Sequence, residues 1–169
     1  MSIAIIPGSF DPMTLGHVDV VERASKMFDE VVVAVMINPQ KDYRFTVAEK
    51  TELAALSCAH IPNARVISDE GMLIDLVDKL NACAIIKGIR TIKDFRYEQT
   101  MAYWNRAHNP AAETLYLPCN TSFARISSTL VRKRMEEGKA LDGLMSPVAL
   151  AKLVEWGVAC PTKKRTSKF

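Results

Sequence analysis

Pro7-Gly8-Ser9-Phe10-Asp11-Pro12-Met13-Thr14-Leu15-Gly16-His17 decides how the rest of the chain is read. A short apolar run, Ile3-Ala4-Ile5-Ile6, comes before it and an amphipathic run over 18–28 comes after it. Apolar run, turn punctuated by Gly and Pro, and amphipathic run spell strand, turn and helix. In a doubly wound α/β domain such a turn stands at the carboxyl end of a strand, where ligands bind. Gly16-His17 puts an imidazole in the first helical turn, beside backbone N–H groups that attract anions. The turn is therefore expected to hold a nucleotide's phosphates.

Outward from that turn, strand and helix alternate. Val18, Val21, Ala24 and Phe28 fall at helical spacing, with Glu22, Arg23 and Lys26 on the other face. Glu30-Val31-Val32-Val33-Ala34-Val35-Met36 is a β-branched run without alternation, as in a strand covered on both sides. It leads to Asn38-Pro39-Gln40-Lys41, a loop at the same sheet edge as the opening turn. Thr46 with Glu49 forms a capping-box signature for a helix to about Cys58, packed through Leu53, Leu56 and alanines. Further strands are predicted over 64–68, 82–86 and 113–117. Helices are predicted over 73–80, with Leu73, Leu76, Val77 and Leu80 on one stripe, over 92–108, from Ile126 to Met135, and from Pro147 to Trp156. Five alternations imply an α/β fold: a Rossmann-like, doubly wound, five-stranded parallel sheet with C-terminal helices. One domain over 1–160 and a basic, frayed tail over 161–169 are expected.

Bulk properties narrow the class. The chain has 169 residues, 49% hydrophobic and 24% charged, which suits an ordinary globular domain. Net charge is +3, and the tail Lys163-Lys164-Arg165-Thr166-Ser167-Lys168 carries four positive charges, so the body is near neutral. A broad nucleic-acid surface would need its cations on the body, so no nucleic-acid partner is expected. Cys58, Cys83, Cys119 and Cys160 have neither zinc-site nor disulfide spacing and read as buried free thiols. No leader-like or membrane-spanning run is present, so a cytoplasmic protein without a membrane partner is expected.

The polar residues collect at one edge. Ser9 and His17 follow the first strand, Lys41 the second, Lys87 and Arg90 the fourth, and Ser127, Ser128 and Thr129 the fifth. In a parallel sheet these loops converge, and cations, hydroxyls and a helix start together describe a polyphosphate site. Neither GxxxxGK[ST] nor GxGxxG occurs, so a P-loop is excluded and a dinucleotide oxidoreductase is disfavoured.

Gly8-Ser9-Phe10-Asp11-Pro12 with Gly16-His17 resembles the (T/S)xGH-type turn of the nucleotidyltransferase superfamily, and Ile126-Ser127-Ser128-Thr129 resembles its ISS-type motif. Lys87-Gly88-Ile89-Arg90, Asp94-Phe95-Arg96-Tyr97-Glu98 and Asn105-Arg106 resemble more narrowly the RGLR…DFxYE…MNR pattern of bacterial phosphopantetheine adenylyltransferases. The resemblance extends over about 3–132 in the same order. It implies adenylyl transfer from ATP to 4′-phosphopantetheine, giving dephospho-coenzyme A and pyrophosphate, by direct in-line attack with no covalent intermediate. The catalytic residues it implies are His17, Lys41 and Ser128. Phosphopantetheine would meet Ser9, Lys41, Leu73 and Lys87. ATP would meet Ser9, Phe10, His17, Gly88, Ile89, Arg90 and Glu98, the last through ribose or adenine, and Phe123, Ala124, Arg125, Ile126, Ser127, Ser128 and Thr129 around its β- and γ-phosphates. The resemblance also implies Mg²⁺ bound with ATP through phosphate and water, with no protein metal ligand assigned, and a homo-oligomer, a hexamer.

Three positions depart from the pattern. Lys87 stands where the family usually has arginine, leaving a point charge in place of a bidentate fork. Arg125 replaces a usually apolar or aromatic residue. Ser127-Ser128-Thr129-Leu130-Val131-Arg132 also reads like the ISSTxxR motif of nicotinate-mononucleotide adenylyltransferases, which supplies the rival acceptor. Plainer readings stand beside the functional ones. His60 and His108 read as helix-end residues facing the dipole, Asp11 as a cap of the turn, Leu73 as core, and Met101, Tyr103 and Trp104 as helix packing.

Overall fold

Strand β2 (Glu30–Met36) shows why the sheet is covered on both sides. Val31, Val33 and Val35 enter one core cluster, while Val32 and Ala34 enter another. The computed structural model describes residues 1–39 and 41–160, so the predicted basic tail over 161–169 lies outside the described residues. The strands β1 (Ile3–Gly8), β2, β3 (Ala64–Asp69), β4 (Ala84–Ile89) and β5 (Thr114–Pro118) are parallel and lie in the order β3-β2-β1-β4-β5. The chain winds outward from β1 to β3, then returns to the other side of β1 for β4. That reversal between β1 and β4 opens a crevice at their carboxyl ends. The α/β, Rossmann-like expectation is met.

Helices α1 (Leu15–Ala24) and α2 (Val47–Cys58) cover the first face, and α3 (Leu73–Leu80) covers the second through buried Leu76 and Val77. Helices α5 (Ser128–Glu136) and α6 (Pro147–Glu155) build a third cluster on α2, around Phe45, Leu53, Val131, Leu150 and Leu153. Caps are local and legible. Thr46 and Glu49 form the predicted capping box, and Pro147 opens α6 behind a Ser146 cap.

Several bounds differ from expectation. Helix α1 starts at Leu15 rather than at residue 18 and stops at Ala24, and Phe28 packs on the core from outside it. Strand β4 runs on to Ile89 because Lys87, Gly88 and Ile89 pair with Tyr116, Leu117 and Pro118 of β5. Helix α5 begins at Ser128, with Ser127 as its cap. Of the four cysteines only Cys58 is buried, its thiol pushed up to about 12 mainly by burial, so the expectation of buried thiols is corrected for the other three. Helix α4 (Ile92–His108) buries only Asn105 and leaves Met101, Tyr103 and Trp104 exposed, so these residues are not internal packing.

Gly88 shows how closely α1 approaches the sheet: a Cβ there would stand 2.8 Å from Val20 Cγ2. Gly88→Ala is expected to cost about 1–3 kcal/mol by overpacking. A thermal melt should show this as a fall of about 5 °C in the midpoint. An unchanged midpoint would mean that the helix yields without cost.

Candidate active site

At the switch point lies a cavity of about 780 Å³ bounded by the opening turn, the exit of β2, the start of α3, and β4 with the first turns of α4. Of the residues singled out in the sequence, it brings together Ser9, Phe10, His17, Lys41, Leu73, Lys87, Gly88, Arg90, Glu98, Ile126 and Ser128. Ile89, Phe123, Ala124, Arg125, Ser127 and Thr129 stand outside its wall. Phe123 nonetheless backs the opening turn, since a Cβ on Gly16 would lie 3.6 Å from its Cβ.

His17 is the third residue of α1, and the capping threonine fixes its chemistry. The Thr14 N–H donates to Nδ1 at 3.0 Å, and Thr14 Oγ1 also lies 3.0 Å from that nitrogen. Nδ1 therefore carries the lone pair, and in the neutral ring the proton sits on Nε2. Burial, helped by the Arg90 cation, lowers the His17 pKa to about 4, so the ring is neutral at physiological pH. Phe10 meets this ring edge-on, with centroids 5.2 Å apart. Phe10 itself is buried at a positive φ of 43°, its ring over Gly8, so it offers the site its backbone rather than its side chain.

Asp11 ties the opening turn to the Lys41 segment. Its carboxylate accepts the Arg44 N–H at 2.9 Å and the Phe45 N–H at 3.0 Å, so it acts as a cap for backbone that follows Lys41. On its other side Arg132 Nη1 donates to the Asp11 carbonyl at 2.6 Å and lies 3.6 Å from the carboxylate. Helix α5 is thereby clamped to the turn.

Across the cleft, charges are paired. Lys87 Nζ lies 3.0 Å from Glu98 Oε2, an ion pair without the alignment of a hydrogen bond. The resemblance gave Glu98 to ATP, but here its carboxylate faces Lys87, because one face of α4 lies over the end of β4. Arg90 pairs with Asp94 at 3.3 Å, and its Nη1 donates to the Ile126 carbonyl at 3.2 Å, joining the fourth-strand loop to the second motif. In that motif the hydroxyls have structural partners. Ser127 Oγ accepts the Leu130 N–H, Ser128 Oγ donates to the Pro12 carbonyl at 2.8 Å, and Thr129 Oγ1 accepts from Arg132. The groups left for an anion are the amides opening α5, at Ser128 and Thr129, which have no acceptor within the helix.

The cleft also contains Tyr43 and Lys93, which were not singled out beforehand, and Thr14, Asn38, Asp94 and Tyr97, which stood in the quoted stretches without a role assigned to them. The helical spacing of 93, 94, 97 and 98 was a readable signal for the α4 members. Leu73 is both wall and packing, since it also rests on the second core cluster. His60 lies at the end of α2, 2.7 Å from Glu22, and His108 lies at the end of α4 against the Trp104 carbonyl, both away from the cleft. Among the described residues, no helix is long and apolar enough to cross a membrane.

Residues 5–134 match the cytidylyltransferase-like family. A phosphopantetheine adenylyltransferase of Heliobacterium modesticaldum is 41% identical over 155 residues, covering 92% of both chains. That of Symbiobacterium thermophilum is 43% identical over 152 residues, covering 90% of this chain and 94% of its own. A crystal structure from Vibrio parahaemolyticus, to which the name nicotinate-nucleotide adenylyltransferase is ascribed, superposes with a TM-score of 0.75. It covers 94% of this chain and 95% of its own at 21% identity, a likeness of fold alone.

Proposed function

The chain belongs to the phosphopantetheine adenylyltransferases of the cytidylyltransferase-like family, and from that premise we propose how its residues carry the reaction. The reaction moves the adenylyl group of ATP to 4′-phosphopantetheine, giving dephospho-coenzyme A and pyrophosphate. The observation that carries the site reading is the meeting of His17, Lys41, Lys87 and Arg90 with the α1 start at one switch-point cleft.

A phosphate oxygen of phosphopantetheine attacks the α-phosphorus of ATP as the bond to pyrophosphate breaks. The protein's share is positioning and charge stabilisation. His17 cannot serve as the base for a serine, because Nδ1 is occupied by Thr14 and Nε2 carries the proton. Instead Nε2–H donates to an α-phosphate oxygen as charge builds there. Ser128 is bonded to Pro12, and burial raises the pKa of the Cys119 thiol, which speaks for direct transfer without a covalent intermediate. Lys41 holds the attacking phosphate, Lys87 and Leu73 face the acceptor, and Ser9 with the Phe10 backbone lies between the substrates. Arg90, Gly88 and the α5 amides hold ATP, while Glu98 sets the Lys87 ammonium.

In this reading a Mg²⁺ ion would be held by the triphosphate and water, and the chemistry it would supply is neutralisation of phosphate charge. The cleft carboxylates Asp94 and Glu98 are committed to Arg90 and Lys87, and no group of three or more acidic, His or Cys residues among the described residues could cage a metal. A cytoplasmic location and a hexamer are part of the same proposal, the exposed face of α4 being available for subunit contact. Pyrophosphate release with ATP and either phosphopantetheine or nicotinate mononucleotide tests the acceptor. Turnover is expected with the first alone, and turnover only with the second would overturn the assignment.

A further inference from the structure

Lys50 of α2 has no exposed surface, and its ammonium has no hydrogen-bond partner among the described residues. Burying an ammonium ion in this way is unfavourable unless something offsets it. Two groups do. Lys50 Nζ stands 3.6 Å from the centroid of the Tyr43 ring, and the Asp11 carboxylate supports the charge that burial opposes. Both groups belong to segments that build the cleft.

Tyr43 closes the Lys41 segment. Its hydroxyl oxygen accepts the Asn38 N–H at 2.9 Å, while the Lys41 N–H donates to the Asn38 carbonyl at 3.0 Å. Residues 44 and 45, immediately beyond, are held by Asp11. Lys50 rides on a helix anchored by the Thr46–Glu49 capping box, so its ammonium is a fixed point beneath both segments. An apolar side chain would fill the same space without attracting the ring face. The ring could then turn, and the Asn38 N–H would lose its acceptor.

We propose that Lys50 is a positioning residue for adenylyl transfer: its ammonium holds the face of Tyr43 and so sets where Lys41 stands relative to the opening turn. The inference rests on the role given above to Lys41. The competing view is that Lys50 only compensates Asp11, which would affect folding and leave the rate alone.

Steady-state kinetics, thermal melts and a double-mutant cycle separate these. Lys50→Met and Tyr43→Leu are each expected to lower kcat/KM for phosphopantetheine about tenfold, with the KM for ATP unmoved. Lys50→Arg, which keeps a cation over the ring, is expected to restore most of the rate. On a Lys41→Ala background neither substitution should lower the rate further, because the group they position is gone. If Lys50→Met melts too low to assay, Tyr43→Leu carries the test. A folded Lys50→Met or Tyr43→Leu enzyme with full kcat/KM would overturn the proposal, as would a loss that persists undiminished without Lys41. Full activity of Lys41→Ala itself would instead overturn the role of Lys41, and this inference with it.

Discussion

His17→Ala is expected to lower kcat by about 10²–10³-fold, the loss typical of one preorganised donor to a developing oxyanion, while the KM for ATP changes little. The reason lies in the state of the ring. Thr14 holds Nδ1, so the proton of this cleft-wall ring sits on Nε2 before substrate arrives, and in the proposed reaction no change of tautomer would be needed when charge builds on the α-phosphate. With a pKa lowered to about 4 by burial and by Arg90, the ring stays neutral through the working range. The rate should therefore show no His17 titration between about pH 6 and 9. A pH–rate profile with an inflection near 6.5 that disappears in His17→Ala would sink this assignment. Stability carries the same signature. The folded value of about 4 lies below the ordinary 6.5, so the unfolded chain takes up the proton first as pH falls. The His17 contribution is complete above pH 6.5 and is lost as pH falls towards 4. A shift of this size corresponds to about 3 kcal/mol, reduced by the open side of the cleft. Denaturant midpoints measured across that window should fall less steeply in His17→Ala than in the parent chain.

The identity of that histidine was legible in the sequence because strand, turn and helix start are local patterns. Its tautomer was not, because it depends on where the Thr14 N–H points once the helix is capped. The same division runs through the molecule. Strand β2 announced itself, since five consecutive buried side chains on two faces require an unbroken apolar run. The end of β4 did not, since its last three residues are strand only by pairing with β5. The second motif was recognisable by its serines, yet the partner of Ser128 is a carbonyl in the opening turn, far away in sequence. The pairing of Lys87 with Glu98 also depends on how α4 lies over β4, which composition and spacing do not encode. Tyr103 and Trp104 were read as packing by residue type, but α4 has no apolar stripe to bury them.

Asp11→Ala is expected to cost about 3–5 kcal/mol, because it breaks a buried, hydrogen-bonded charge network from one side. Asp11 is 3% exposed and accepts two backbone N–H groups, of which that of Phe45 is buried and that of Arg44 part-buried. Its loss also leaves Arg132 facing the turn through a carbonyl alone, and leaves the Lys50 ammonium only the Tyr43 ring. A thermal midpoint lower by about 10 °C is expected for a domain of this size, and a fall of less than about 2 °C would show that the carboxylate is dispensable. Asp11→Asn should recover little. Its amide has one oxygen to offer, so one of the two N–H groups would face an NH₂ group donor to donor, and the charge that balances Lys50 would still be gone. The origin of the cost can be separated by removing both charges. If part of it is the stranded ammonium, Asp11→Ala combined with Lys50→Met should melt higher than the sum of the single losses predicts. Strict additivity would place the whole cost in the unpaired N–H groups of Arg44 and Phe45, making Asp11 a backbone cap rather than the counter-charge of Lys50.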